Sequence, residues 1–328
     1  MLTDVNWPSQ QLFLTRERLA ALAERCRPAF VAECRAMRID EDLSPLLESL
    51  YLPLAAWLRA RRGDDRRTQV VGVCGAQGSG KSTLCRLLGA VLEQSFDEPA
   101  VAFSIDDIYE TRERREELAS EVHPLFATRG VPGTHDVALG LDVVGRLISL
   151  GEDQTVPLPV FDKATDTRLS PDRWRCQAGP VATVLFEGWC VGAVPENEAA
   201  LIDPINILER EEDRDGVWRR TVNESLRGDY QRLFALIDVL ILLRVDSMRR
   251  VFEWRRLQEH KLAAASAAKA ADMRIMTDEQ VDRFIMHYER LTRHILSEMP
   301  DRADIVFDLD ETHSAARVHI NNPTGEPL

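Results

Sequence analysis

The sequence is poor in the signals that would place it outside the ordinary globular class. Its six cysteines, Cys26, Cys34, Cys74, Cys85, Cys176 and Cys190, form no CxxC pair, and no histidine stands at zinc-finger spacing from them. That argues against a structural zinc site and against a disulfide framework, and for free thiols in a reducing compartment. No apolar run reaches the roughly 18 residues a membrane helix needs. The first residues, MLTDVNWPSQQLFLTRER, lack the basic and then apolar order of a secretory leader. These absences make a cytoplasmic location the expectation. Positive charge is also in short supply: 41 Lys+Arg stand against 54 Asp+Glu, a net −13. An acidic surface repels phosphate backbones and anionic lipid, so neither nucleic acid nor a membrane is the expected partner. Aromatics are only 6% of the 328 residues, too few to favour a pocket built on base stacking.

What is present is the apolar content and length for a full core. Residues 8 to 62 read as helical from the recurrence of Leu12, Leu19 and Leu22, and then of Leu50, Leu54 and Leu58. Pro28, Pro45 and Pro53 are expected to divide that stretch into short helices. A polar run, RARRGDDRRTQ (59–69), reads as a connector, so the N-terminal helical extension is placed at 1–65 and the main domain at 66–328. There the rhythm changes. QVVGVCG (69–75), VAFSIDD (101–107), VATVLFEG (181–188), LIDVLILLRVD (236–246) and DIVFDLD (304–310) read as buried strands. Helical stretches separate them, notably 136–150, 215–234, 246–270 and 277–298. Alternation of apolar strands with helices predicts an α/β fold with a five-stranded parallel sheet covered on both faces, and a helical lid near 215–298.

The sharpest local signal is Gly75-Ala76-Gln77-Gly78-Ser79-Gly80-Lys81-Ser82, which satisfies G-x-x-x-x-G-K-[ST] between a strand and a helix. Thr83 follows it. Glycines let successive N–H groups turn inward onto phosphate oxygens, and the helix N-terminus adds its positive end. Lys81 is the residue type that reaches the β- and γ-phosphates of ATP, and the Ser82 hydroxyl suits Mg²⁺. A dinucleotide-binding reading fails, because Lys81-Ser82-Thr83 stands where x-x-Gly would be needed.

In open parallel sheets ligands lie beyond the carboxyl ends of the strands, and two further strands end there in acids. Phosphoryl transfer to an alcohol needs a carboxylate to orient the hydroxyl and take its proton, and a metal to hold the phosphates. Asp106 is assigned as the base and Glu187 as a metal ligand. Asp107 reads either as a second group of the metal shell, near the substrate, or as the cap of a following helix. Tyr109 reads as a wall of the substrate pocket or as packing. The loop Arg129-Gly130-Val131-Pro132-Gly133-Thr134-His135-Asp136 gathers a guanidinium, a hydroxyl, an imidazole and a carboxylate. Arg129 offers a planar fork for a carboxylate or phosphate, and His135 a hydrogen bond to a substrate hydroxyl. The plainer reading is a capped helix start. Lys163, in PVFDK, reads as a partner for an anionic substrate or as a solvated lysine. Arg255 and Arg256, beside Trp254 on a basic helix, read as a lid over ATP or as a solvated face.

Taken together, these pieces resemble the D-glycerate 3-kinase group, within the wider phosphoribulokinase and uridine kinase superfamily of P-loop proteins. The matching segments are GAQGSGKST (75–83), SIDDIY (104–109), RGVPGTHD (129–136), PVFDK (159–163), LFEGW (185–189) and WRRLQE (254–259), with YLPLAAWL (51–58) like the family's N-terminal helical stretch. RGVPGTHD together with LFEGW is the narrower part of the likeness. The resemblance implies MgATP-dependent phosphorylation of the 3-hydroxyl of D-glycerate, a small hydroxy acid. It also implies that Asp106 is the catalytic acid, that Glu187 is the metal-site glutamate, and that Arg129, His135 and Lys163 lie near the acceptor. Two departures stand out: DMRIMTDEQ (272–280) where the family has a glycine-rich segment, and Ile108 where an aromatic is commoner. The rival expectations are a kinase of pantothenate, a nucleoside or a sugar, and a switch that hydrolyses ATP slowly.

Overall fold

The computed structural model describes residue 7 and residues 14–39, 41–63, 67–266 and 276–321. The first four residues of DMRIMTDEQ (272–280) therefore lie outside the described residues. Ten strands occur among them: β1 Gln69–Gly75, β2 Ala100–Ser104, β3 Thr155–Leu158, β4 Phe161–Asp162, β5 Thr167–Arg168, β6 Arg175–Ala178, β7 Thr183–Gly188, β8 Val239–Arg244, β9 Ile305–Leu309 and β10 Ala315–Ile320. Six of them build the main sheet in the order β10-β9-β8-β1-β7-β2. All five expected strands are there, and β2, β7, β1, β8 and β9 run parallel. The sheet nevertheless has a sixth strand, β10, antiparallel to β9. Its sequence AARVHI is largely exposed along one edge, so it lacks the continuous apolar run that marks the other five.

β1 and β7 are buried at every position, which is what helices on both faces require. One face packs into a core holding Val71, Val73, Leu87, Leu185 and Ile241. The N-terminal helices contribute Phe30, Leu47, Tyr51, Leu54 and Trp57 to that same core. The opposite face carries Val70, Phe103, Val144, Phe186, Leu233 and Leu242.

The prolines divide the N-terminal stretch less than expected. Pro28 lies inside an unbroken helix, Arg16–Ala36. Pro53 stands in the first turn of Leu52–Arg62, which continues directly from a π-turn at Leu47–Tyr51. The wider π-turn accommodates a residue with no N–H to give, so the helical run continues through Pro53 rather than stopping there. Only Pro45, at the start of Ser44–Leu46, marks a true helix beginning. Helices Val137–Ile148, Val217–Ser225, Met248–Ser266 and Asp278–Glu298 fall within the stretches read as helical.

Candidate active site

The register puts the expected acids where the phosphate loop is. β7 lies between β1 and β2, with Glu187 paired to Val73 on one side and to Ser104 on the other. The loop leaves β1 at Gly75 and enters helix Lys81–Phe96 through Gly80. Gly78 and Gly80 have φ of +79° and +88°, the left-handed region that glycine enters without steric cost. Gly75 serves a different need: a Cβ there would stand 2.7 Å from Ser79 Oγ. Lys81 Nζ donates to the Ala76 carbonyl at 3.0 Å, across the mouth of the loop. Gln77 Oε1 and Ser79 Oγ are buried with no hydrogen-bond partner among the described residues. The unpartnered Ser79 hydroxyl can donate to a phosphate oxygen, and with the N-terminus of the following helix it makes the loop suit a polyphosphate.

Ser82 Oγ donates to Glu187 Oε1 at 2.7 Å. A hydroxyl and a carboxylate side by side are hard oxygen donors and fit Mg²⁺, which takes few protein ligands and completes its shell with water and phosphate. Residues 75–83 and Glu187 are thus one cluster.

Asp106 and Asp107 do not end the strand itself. β2 stops at Ser104, and both acids lie in a tight turn, Ile105–Ile108, capped by the Ser104 hydroxyl. Asp106 Oδ2 accepts from Lys163 Nζ at 2.9 Å, and Oδ1 accepts from the Tyr109 hydroxyl at 2.8 Å. Burial pushes the Asp106 carboxyl up, but the Lys163 ammonium and the two hydrogen bonds outweigh it and hold the group at about 2. The same carboxylate raises the Lys163 ammonium, against a smaller loss from burial. Asp107 points elsewhere: its Oδ1 accepts from the Phe161 N–H at 3.2 Å, so it pins the β4 strand and caps no helix. Burial raises it to about 6.

β4 and β5 form a short hairpin over this turn. Lys163 follows β4, and the Asp166 carboxylate ties down both Arg115 and Arg129. Arg129 also lies over the Phe161 ring, 5.5 Å from its centroid. Arg168 reaches the Tyr109 carbonyl and pairs with Asp136 at 3.1 Å. Contacts therefore join the hairpin, the acid turn and the 129–136 loop, and Arg129, Asp106, Tyr109, His135 and Lys163 lie at their junction. The expected capped helix start is there as well, since Asp136 Oδ1 accepts from Leu139 N–H at the head of Val137–Ile148.

Gly130 marks how tightly the loop is set. Its carbonyl accepts from Trp189 Nε1 at 2.9 Å, and the Arg129 carbonyl accepts from the Tyr288 hydroxyl at 2.8 Å. A Cβ on Gly130 would sit 2.0 Å from that hydroxyl oxygen. His135 is 5% exposed and stacks on Tyr109 with ring centroids 4.5 Å apart. Burial lowers its imidazole to about 3, although the Asp106 charge pulls the other way.

The basic helix Met248–Ser266 does lie against the phosphate loop: a Cβ on Gly78 would be 3.3 Å from Trp254 Cβ. Its two arginines part ways. Arg255 pairs with Glu259 at 2.8 Å and lies over the Phe284 ring, while Arg256 holds Asp282 of the neighbouring helix. Arg256 thus joins two helices here, a task its sequence position did not suggest. Tyr230, Tyr288, Trp189, Arg115 and Asp166 were missed by the sequence reading. Trp189 does lie in LFEGW, without a role assigned to it there; Tyr230, Tyr288 and Arg115 lie outside the quoted segments, and Asp166, in the turn-rich DKATDT just after PVFDK, carried a local signal.

No family model matches the chain. It is 34% identical over 252 residues to the uncharacterized kinase mug58 of Schizosaccharomyces pombe, covering 74% of this chain and 86% of that one. It is 26% identical over 310 residues to the chloroplastic D-glycerate 3-kinase of Arabidopsis thaliana, covering 85% of this chain and 63% of that one. Among solved structures it is similar to the D-glycerate 3-kinase from Cryptococcus neoformans, with 26% identity, a TM-score of 0.65, and coverage of 78% of this chain and 90% of that one.

Proposed function

Since the chain belongs to the glycerate kinase-type family of P-loop kinases and is an ATP-dependent phosphotransferase with an alcohol acceptor, we propose that its acceptor is D-glycerate and its product 3-phosphoglycerate. The observation that carries this reading is the pairing of Asp106 with Lys163 at 2.9 Å, with the Arg129 guanidinium near enough for its charge to act on Lys163. A small hydroxy acid needs an oxygen to receive its hydroxyl proton and cations to hold its carboxylate, and here both stand a few ångströms apart. Two relatives carrying D-glycerate 3-kinase names support the same choice.

In this reading Lys81 and the loop amides hold the ATP phosphates, with Gly75, Gln77, Gly78, Ser79, Gly80 and Thr83 shaping the cradle. Ser82 and Glu187 would hold Mg²⁺, whose chemistry there would be to offset the negative charge of the phosphates. Lys163 has two N–H groups beyond the one on Asp106, and these take the glycerate carboxylate together with Arg129. The hydroxyl donates to a lone pair of Asp106 not used by Lys163 or Tyr109. A carboxylate held at about 2 is a weak base, which suffices, because a loose phosphoryl-transfer transition state asks for little proton removal until late. Arg255 lies on the helix that covers the loop and supplies charge there once that helix adjusts over the nucleotide. The acidic chain with free thiols suits a reducing cytoplasm.

The test is ADP release from MgATP with D-glycerate, L-glycerate, pantothenate, uridine and fructose as acceptors. Stimulation by D-glycerate, lost in Lys81→Ala, is the expected result. Stimulation by another compound alone replaces the acceptor, and an unstimulated basal rate removes it.

A further inference from the structure

Tyr230 lies 95 residues from His135 in the chain and outside every motif, yet its hydroxyl stands 2.6 Å from His135 Nδ1. It is 2% exposed and closes the turn Leu226–Tyr230, whose Gly228 departs from helical geometry. The same phenol oxygen accepts the Gly133 N–H at 3.0 Å. One lone pair is therefore taken by the loop that carries His135, and the phenol proton has His135 Nδ1 as its described acceptor. A nitrogen that accepts carries no proton, so the neutral ring must bear its hydrogen on Nε2. The opposite tautomer would send Nδ1–H into the phenol oxygen. It would leave two buried groups unmet, the phenol proton and the Nε2 lone pair, where the first arrangement leaves one.

That one is informative. His135 Nε2 is buried without a hydrogen-bond partner among the described residues. The ring it belongs to stacks on Tyr109, whose hydroxyl is on Asp106, and lies near enough to feel the Asp106 charge. We propose that Tyr230 is a positioning residue that locks His135 as an Nε2–H donor, so that His135 gives a hydrogen bond to an oxygen of the acceptor and never takes its proton. Burial keeps the ring neutral, which agrees with that division. Asp106 receives the proton; His135 fixes the oxygen. This rests on the acceptor reading above only for the identity of the oxygen, since the tautomer is a property of the free protein.

The experiment has two parts. Nitrogen-15 spectra of histidine-labelled wild-type protein should show His135, assigned through its loss in His135→Gln, with the proton on Nε2. In Tyr230→Phe the ring should become a mixture of tautomers. In kinetics with D-glycerate, Tyr230→Phe should raise the acceptor KM by about tenfold and leave the KM for ATP within twofold. His135→Gln carries its own N–H near the Nε2 position, so adding Tyr230→Phe to it should bring little further change. A proton found on Nδ1 in the wild type overturns the proposal, even if Tyr230→Phe fails to fold. So does an unchanged acceptor KM in Tyr230→Phe, or equal effects of that change with and without His135. Failure of D-glycerate as a substrate, with the Nε2 proton in place, would instead count against the acceptor reading.

Discussion

At Asp106 two large influences oppose each other: burial favours the protonated acid, while Lys163 and Tyr109 favour the carboxylate and prevail. Removing the carboxylate charge should therefore spare nucleotide binding and remove transfer. Asp106→Asn is expected to lower kcat by on the order of 10²- to 10⁴-fold, with ATP affinity within about twofold by calorimetry. Loss of ATP binding in that variant would contradict its assignment as the base. In Lys163→Ala the burial is left with weaker opposition, so Asp106 should titrate well above about 2 in a carbon-13 carboxyl titration. His135 gives a pH signature of the opposite charge type. Its native value of about 3 lies below the roughly 6.5 of an unfolded histidine, so between those two values the unfolded chain binds more protons. Stability gained at neutral pH is lost as pH falls through that window, by up to about 1.4 kcal/mol per pH unit for this one group. His135→Gln should flatten the pH dependence of denaturant unfolding by that amount; parallel curves for the two proteins would refute it.

Among the elements, the loop 129–136 shows how little slack the acceptor side has. Gly130→Ala would force a Cβ into Tyr288 at a φ of +137°, so it should cost more than about 2 kcal/mol in urea denaturation. Gly145, inside Val137–Ile148 with nothing within 4 Å of its missing Cβ, is the matched control. Gly145→Ala should stabilise by about 0.5–1 kcal/mol. Elements of this kind were legible in the sequence to differing degrees. The phosphate loop and the five parallel strands declared themselves, because a strict motif and unbroken apolar runs are local signals. β10 did not, since an edge strand that is half exposed has no such run. Pro28 misled because a long helix packed on a core tolerates the loss of one hydrogen bond. That Ser82 and Glu187 lie side by side agrees with the strand ends on which both were assigned to one metal, though the direct contact itself was not read from the sequence. The Tyr230–His135 and Asp166–Arg129 contacts were not, since Arg129 and His135 stood out in their loop but no local signal names a partner 37 or 95 residues away in the chain.

For the molecule as a whole, the N-terminal helices belong to the same core as one face of the sheet. Phe30, Tyr51 and Trp57 pack in one cluster with Leu87 and Ile241, and Glu33 pairs with Arg86 of the helix after the phosphate loop at 2.7 Å. A chain beginning at Arg67 would expose that apolar face to water. It should lose cooperative thermal unfolding and most of its soluble yield, whereas a soluble, cooperatively melting fragment would show the extension to be dispensable. No helix among the described residues is long and apolar enough to cross a membrane. The phosphate loop, Glu187 and the Asp106–Lys163 pair all follow the carboxyl ends of β1, β7 and β2, the arrangement that the proposed transfer requires. Phosphorus-31 spectroscopy of the product formed from MgATP and D-glycerate tests that transfer directly. The resonance of 3-phosphoglycerate should grow in step with ADP in the wild type and be missing with Lys81→Ala. Inorganic phosphate growing alone, at a rate indifferent to D-glycerate, would contradict a kinase of this hydroxy acid.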